Sequence, residues 1–280
     1  NQEYFNCFVP YGDIRYDIEK FIFFDKAVLS MLKAIDFQPD LIHCHDWHTA
    51  LIPVYLKTIY ANDPFYARTR SIFTIHSLKF QGICDKDFLR SISGLPGELF
   101  AEGPICSGSS GNMLRGALSF ADYITTVSAS YAEEIKTPAY GEGLDRQLLS
   151  ASSRFCGIVN GIDETVFDPE TDEALPAHYS ISTVLEGKRN AKALLQQELG
   201  LQKDPDSLMV GIVSRLTDQK GLDLIIPLLD RLSEPPFQLV VLGTGEYHYE
   251  LIFRQYSEAR PGQVRSCAFY DEALSHHIYA

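Results

Sequence analysis

Pro39-Asp40-Leu41-Ile42-His43-Cys44-His45-Asp46-Trp47-His48 decides how the chain is read. Leu41 to Cys44 follows a Pro-Asp pair and is short and apolar enough for a buried strand. Thr49 to Tyr60 then carries a helical pattern. Strand, polar turn and helix in that order make half of a βαβ unit, the building block of a parallel sheet. The same sequence of events recurs downstream. Ser71 to Ile75 is expected as a strand, Asn112 to Ala121 as a helix, and Tyr123 to Val127 as a strand. Ser128 is a fit cap for a helix reaching Lys136. Cys156 to Val159 is apolar and runs into the turn signal Asn160-Gly161.

The rhythm lapses from Asn160 to Ser182, which holds few long apolar runs, several acidic residues, and Pro169 and Pro176. Such a composition suits a connector. A helix is expected from Val184 to Leu199, stopped by Gly200, and the alternation then restarts. Leu208 to Val213, Phe237 to Leu242 and Val264 to Phe269 read as strands. Leu222 to Leu232 and Tyr247 to Tyr256 read as helices, and Asp271 opens another. The expectation is an α/β protein with two parallel-sheet domains, at 1–157 and 207–280, joined by a connector and helix at 158–206.

With 280 residues, 45% of them hydrophobic and 22% charged, the chain has the composition of a globular protein. No apolar run has the length of a membrane span, so no membrane partner is expected. The formal charge of −13 argues against nucleic acid, whose partners carry a basic face. Cys7, Cys44, Cys84, Cys106, Cys156 and Cys267 are scattered without a C-x-x-C pair. That favours free thiols in a reducing cytoplasm over a disulfide framework.

Four stretches carry chemistry. His43 and His45 share one face of the first strand, while Asp46 and His48 lie beyond it in the turn. Three imidazoles and a carboxylate invite a zinc reading, which the spacing weakens. Carboxyl ends of parallel strands are where open sheets bind ligands, so these groups can serve a sugar without metal. Phe73-Thr74-Ile75-His76 delivers a second histidine to a strand end, to cap a turn or touch substrate. Val213-Ser214-Arg215-Leu216-Thr217-Asp218-Gln219-Lys220-Gly221 sets two cations at a strand–helix junction, where backbone N–H groups favour anions. Arg can fork onto phosphate oxygens and Lys adds a mobile charge, although both can equally be solvated. Leu242-Gly243-Thr244-Gly245 lets backbone approach a ligand but lacks the third glycine of the dinucleotide fingerprint.

Taken in order, these strings resemble the bacterial glycogen synthase and plant starch synthase family. The likeness also runs through Asn112-Met113-Leu114-Arg115, Ala121 to Ser128, Val159 to Asp163, Asp168 to Asp172 and Tyr270 to His276. It implies a GT-B fold, two Rossmann-like domains facing a cleft. It also implies transfer of glucose from ADP-glucose to an α-1,4-glucan with retention of configuration, without metal or cofactor. Arg215 and Lys220 would then hold the donor diphosphate, and His76 would contact the transferred glucose as the third catalytic group. Asp46 and Asn160 would line the sugar site, Tyr270 would pack on the base, and the Gly243–Gly245 turn would lie against the donor. The partners implied are a nucleotide sugar and a glucan, in the cytoplasm, or in a plastid if the source is a plant or alga.

Departures accompany the likeness. Ser77 stands where the family has Asn, Arg115 where lysine is usual, and Arg146 where glycine is common. The family's K-x-G-G-L and E-P-C-G-L strings do not occur in these residues. The chain is therefore expected to be an inactive piece of an active parent, with both domains incomplete. Three other readings stay open: another retaining GT-B transferase, a non-catalytic glucan- or nucleotide-binding relative, and a metal-dependent hydrolase using His43 to His48.

Overall fold

The computed structural model describes residues 2–6, 11–101 and 103–280. Cys7 lies outside them. Chain contacts divide the molecule into two units, Asn1–Gly161 and Ile162–Ala280.

In the first unit, β1 (Leu41–His45) is followed by β2 (Arg70–Ile75), β3 (Ile83–Asp85), β4 (Cys106–Ser107), β5 (Ser110–Asn112), β6 (Tyr123–Thr126) and β7 (Phe155–Gly157). β1, β2, β6 and β7 form one sheet in that order, every pair parallel. β3, β5 and β4 form a small antiparallel sheet that the sequence reading did not anticipate. A helix at Ile14–Ala34 was also not anticipated. Asp13 caps it by accepting from the N–H groups of Arg15 and Tyr16. This helix donates Ile18, Ile22 and Leu29 to a core shared with Leu51, Val54, Phe73, Met113 and Ile124. Inside that core the Asp25 carboxylate accepts from Leu51 N–H at 3.0 Å, so one helix supplies the cap of the next. The expected helix from Thr49 is shorter than its pattern: a 3₁₀ turn at Trp47–Thr49 precedes Leu51–Lys57.

In the second unit β8 (Leu208–Val213), β9 (Phe237–Leu242) and β10 (Val264–Cys267) form a parallel sheet in the order β10-β9-β8. β9 is buried on both faces. Leu239 and Val241 pack with Leu216, Leu222 and Phe253, while Val240 and Leu242 pack with Leu195, Leu199 and Leu274. Burial on both sides is what makes Phe237 to Leu242 nearly continuous in hydrophobicity rather than alternating. The expected helix from Leu222 to Leu232 is broken into Leu222–Ile225, a 3₁₀ turn Ile226–Leu228 and Leu229–Leu232. Pro227 accounts for the break, because proline lacks the N–H that an unbroken helix needs there. Val184–Glu198, Tyr247–Ala259 and Glu272–Tyr279 are helical, the last capped by Asp271 onto Leu274 N–H.

Candidate functional site

Each unit gathers polar groups at the carboxyl ends of its parallel strands. In the first, β1 and β2 run side by side with His45 opposite Thr74. Asp46 and His76 are the first residues beyond the ends of the two strands. Asp46 leaves β1 with φ 54° and ψ −174°, a conformation outside the left-handed helical region and one that residues with a side chain rarely adopt. Its Oδ1 accepts from His76 N–H at 2.8 Å and from Ser77 N–H at 3.4 Å. Asp46 N–H in turn donates to Thr74 O. Asp46 and His76 are thus locked together, one carboxylate holding the backbone that carries the other's imidazole.

The histidines form a connected layer. His45 Nδ1 and His76 Nε2 are 3.0 Å apart, and the His43 and His45 rings lie 4.2 Å centroid to centroid. His43 Nε2 meets Thr74 Oγ1 at 2.7 Å, and Thr74 Oγ1 meets Thr125 Oγ1 at 2.6 Å. Burial, followed by the neighbouring His43 and His76, pushes the His45 pKa down, which keeps the pair of rings from charging together. His48 points elsewhere. Its ring packs on Trp47 and edge-on to Phe21, and burial lowers its pKa. Three imidazoles therefore do not converge on a single point at His43 to His48. Among the described residues the group whose ligand atoms lie within 4.8 Å of one another is Asp218, Glu246 and His248, all exposed. There Asp218 already accepts from Tyr249 OH, and Glu246 accepts from Asp218 N–H.

Asn160 lies beyond the end of β7, on the opposite flank of the sheet from β1. Ile158 N–H, on Thr126 O, makes the last backbone hydrogen bond of that strand end. Asn160 is exposed, and no hydrogen bond among the described residues joins it to Asp46 or His76.

In the second unit the strand ends of β8 and β9 interlock. Leu216 N–H donates to Thr244 O, Glu246 N–H to Leu216 O, and Gly243 N–H to Cys267 O. A Cβ at Gly243 would strike the Ser214 carbonyl oxygen, and one at Gly245 the Leu216 carbonyl oxygen. Both glycines are therefore required by close approach of backbone to backbone. Gly243 also has φ 146°, outside the range side-chain residues favour. Arg215, exposed, leaves this junction without an ion-pair or hydrogen-bond partner for its guanidinium among the described residues, and the same holds for Lys220. A cavity of about 370 Å³ is lined by Arg215, Gly243, Thr244, Tyr270, Phe167 and His276, with others. Tyr270 is 86% exposed, leaving its ring face open. Lys220 and Gly245 are not among the lining residues.

The parallel α/β architecture is that of the GT-B sugar transferases. The catalytic domain of starch synthase IV from Arabidopsis thaliana, solved bound to ADP and acarbose, superposes with a TM-score of 0.89 at 35% identity, over 97% of this chain and 56% of that one. The family model for the starch synthase catalytic domain matches residues 1–150. The chain belongs to this family. It is 49% identical to a glycogen synthase of Lachnospira eligens over all 280 residues, and 45% identical to one of Lachnoclostridium phytofermentans. It spans 59% of the length of both. A Thermotoga maritima glycogen synthase is 43% identical over 262 residues, 94% of this chain and 54% of that one.

The sequence reading offered His45 only with its neighbours, as a zinc ligand or a sugar contact, and assigned no role to the Asn112–Gln81 side-chain pair or the Asp172–His276 pair. The first could be read from the two-residue period that puts His43 and His45 on one face. The other two join residues 31 and 104 positions apart, and no local pattern announces them.

Proposed function

We propose that the protein carrying this chain is a retaining glucosyltransferase that lengthens an α-1,4-glucan from ADP-glucose. The observation that carries the reading is the cavity at the β8–β9 strand ends, where a cation without a protein partner, Arg215, stands beside a glycine turn and an open tyrosine ring. A diphosphate needs such a cation, backbone free of side chains, and a ring for the base. In this reading Arg215 and Lys220 hold the diphosphate and stabilise the charge that grows on it as the glucosyl bond breaks. Gly243 and Gly245 allow the donor to approach, and Tyr270 stacks on the base. In the first unit His76, fixed by Asp46, contacts the transferred glucose, and Asp46 and Asn160 line the sugar site. Residues 1–157 act as the acceptor-side domain, 158–206 as connector and helix, and 207–280 as the nucleotide-sugar domain.

The relatives' names and the ADP and acarbose of the Arabidopsis structure support a nucleotide donor and a glucan acceptor. A cytoplasmic setting is supported by five free cysteines among the described residues. Among the described residues no helix is long and apolar enough to cross a membrane. The test is incorporation of labelled glucose into glycogen by the intact protein, with ADP-glucose and UDP-glucose compared. Preferred use of ADP-glucose is expected. No incorporation from either donor would overturn the reading.

A further inference from the structure

The cavity that holds Arg215 and Tyr270 has a wall that the proposed reaction leaves unused. His276 is only 5% exposed, sits in the helix Glu272–Tyr279, and lines the cavity. Its Nδ1 lies 2.6 Å from Oδ2 of Asp172, which is also buried. One face of its ring stacks on Phe167 at 4.8 Å and 15°. Asp172 is fixed in turn, since its Oδ1 accepts from Ala174 N–H at 2.9 Å. Burial opposes ionisation of Asp172. The His276 hydrogen bond and the Ala174 N–H outweigh it, so the carboxyl is held below its usual range and is ionised near neutrality.

An ionised carboxylate can only accept hydrogen bonds, so the proton between the two side chains belongs to His276 Nδ1. In the neutral ring Nε2 then carries a lone pair and acts as an acceptor. Among the described residues Nε2 has no hydrogen-bond partner. His276 lines the cavity and its Nε2 is not among the atoms sealed from solvent, so a ligand donor can take the place of a water there. A nucleoside has two kinds of donor at this range of the site: the exocyclic amine of the base and the hydroxyls of the ribose.

We propose that His276 reads the nucleoside of a nucleoside diphosphate held in this cavity, its Nε2 accepting a hydrogen bond from the ligand, with Asp172 as the positioning residue that fixes the ring's tautomer. The proposal rests on the cavity being the nucleotide site. Phe167 limits the ring's freedom on one face, and the Asp172 bond limits its rotation. The ligand therefore meets a fixed acceptor, which can discriminate between nucleosides because a missing donor leaves Nε2 unsatisfied.

Two measurements on the intact protein test this. Nitrogen-15 NMR of labelled histidine rings, with the His276 signal assigned by its loss in His276→Phe, is expected to show Nδ1 protonated and Nε2 bare. The opposite tautomer overturns the proposal. Calorimetry then compares ADP, inosine diphosphate and 2′- and 3′-deoxy-ADP on wild type and His276→Phe. In wild type, one class of analogue is expected to bind about tenfold weaker than ADP. Inosine diphosphate would identify the amine as the donor, and a deoxy analogue the hydroxyl. In His276→Phe, ADP falls by about the same factor and that discrimination disappears. Equal weakening of every nucleotide, or unchanged ADP binding, overturns the role of His276 while leaving the nucleotide site standing. Failure of wild type to bind ADP at all removes the site and the proposal together.

Discussion

Asp46 holds its backbone at φ 54° while its Oδ1 satisfies two N–H groups beyond the end of β2. Asp46→Ala leaves both N–H groups to solvent and asks alanine to take a positive φ. It is expected to cost about 1–2 kcal/mol of stability, seen as a lower denaturation midpoint at unchanged slope. Asp46→Asn should cost clearly less, because the amide oxygen still accepts from both N–H groups. Equal losses for the two variants would mean that the hydrogen bonds contribute nothing. At this scale the sequence was partly informative. The order of residues showed that Asp46 leaves the strand and that His76 ends the next one. It could not show that a carboxylate from one strand end grips the backbone of the other, because that contact exists only once β1 and β2 pair in register.

Elements are joined by a few buried polar contacts whose energetics can be separated. Asp25 lies in the middle of the helix Ile14–Ala34, is fully buried, and caps Leu51–Lys57 through Leu51 N–H. Burial pushes its pKa well above the usual carboxyl value, against the smaller opposing effect of that hydrogen bond. A carboxyl with a raised folded pKa holds its proton longer in the native state than in the unfolded one. Its favourable contribution is therefore complete at acid pH, below the unfolded value, and is lost as pH rises towards the folded value. Asp25→Asn keeps an acceptor for Leu51 N–H and cannot ionise. The variant should gain stability relative to wild type on going from pH 5 to pH 8, by up to about 1.4 kcal/mol per pH unit inside the window. Denaturant midpoints at the two pH values measure this, and a difference independent of pH would contradict it. The turn at the end of β9 gives a second test. Gly243→Ala places a methyl against the Ser214 carbonyl at a backbone angle alanine avoids, and is expected to destabilise the second unit by more than about 2 kcal/mol. A thermal unfolding midpoint equal to wild type would show that the turn relaxes freely. Strand positions were legible because β8 and β9 are bounded by polar turns and rich in branched apolar residues. The helix at Leu222 was over-extended, since its apolar period continues across a proline whose ring forbids a regular helix. The long helix before β1 was legible in principle, from Asp13 and the spacing of Ile18, Ile22 and Leu29, and was not read.

Across the whole molecule, acidic residues outnumber basic ones and leave a net charge of −13, yet Arg215 stands at a strand end without an acidic partner among the described residues. A guanidinium unpaired in so acidic a chain is available to an anion, which the proposed function takes to be a sugar nucleotide. The repeated strand–helix order made the parallel sheets readable, and the order of motifs along the chain made the family readable. The pairing of Asp172 with His276 depends on how residues 104 positions apart are brought together, and only the fold reveals it. The central claim is that Arg215 stabilises the leaving diphosphate, and steady-state kinetics on the intact protein test it most directly. With ADP-glucose and glycogen, Arg215→Ala is expected to lower kcat/KM by at least ~10²-fold at an unchanged melting temperature. A variant that folds normally and retains kcat/KM within about threefold of wild type, less than one hydrogen bond to a charged group is worth, would contradict it.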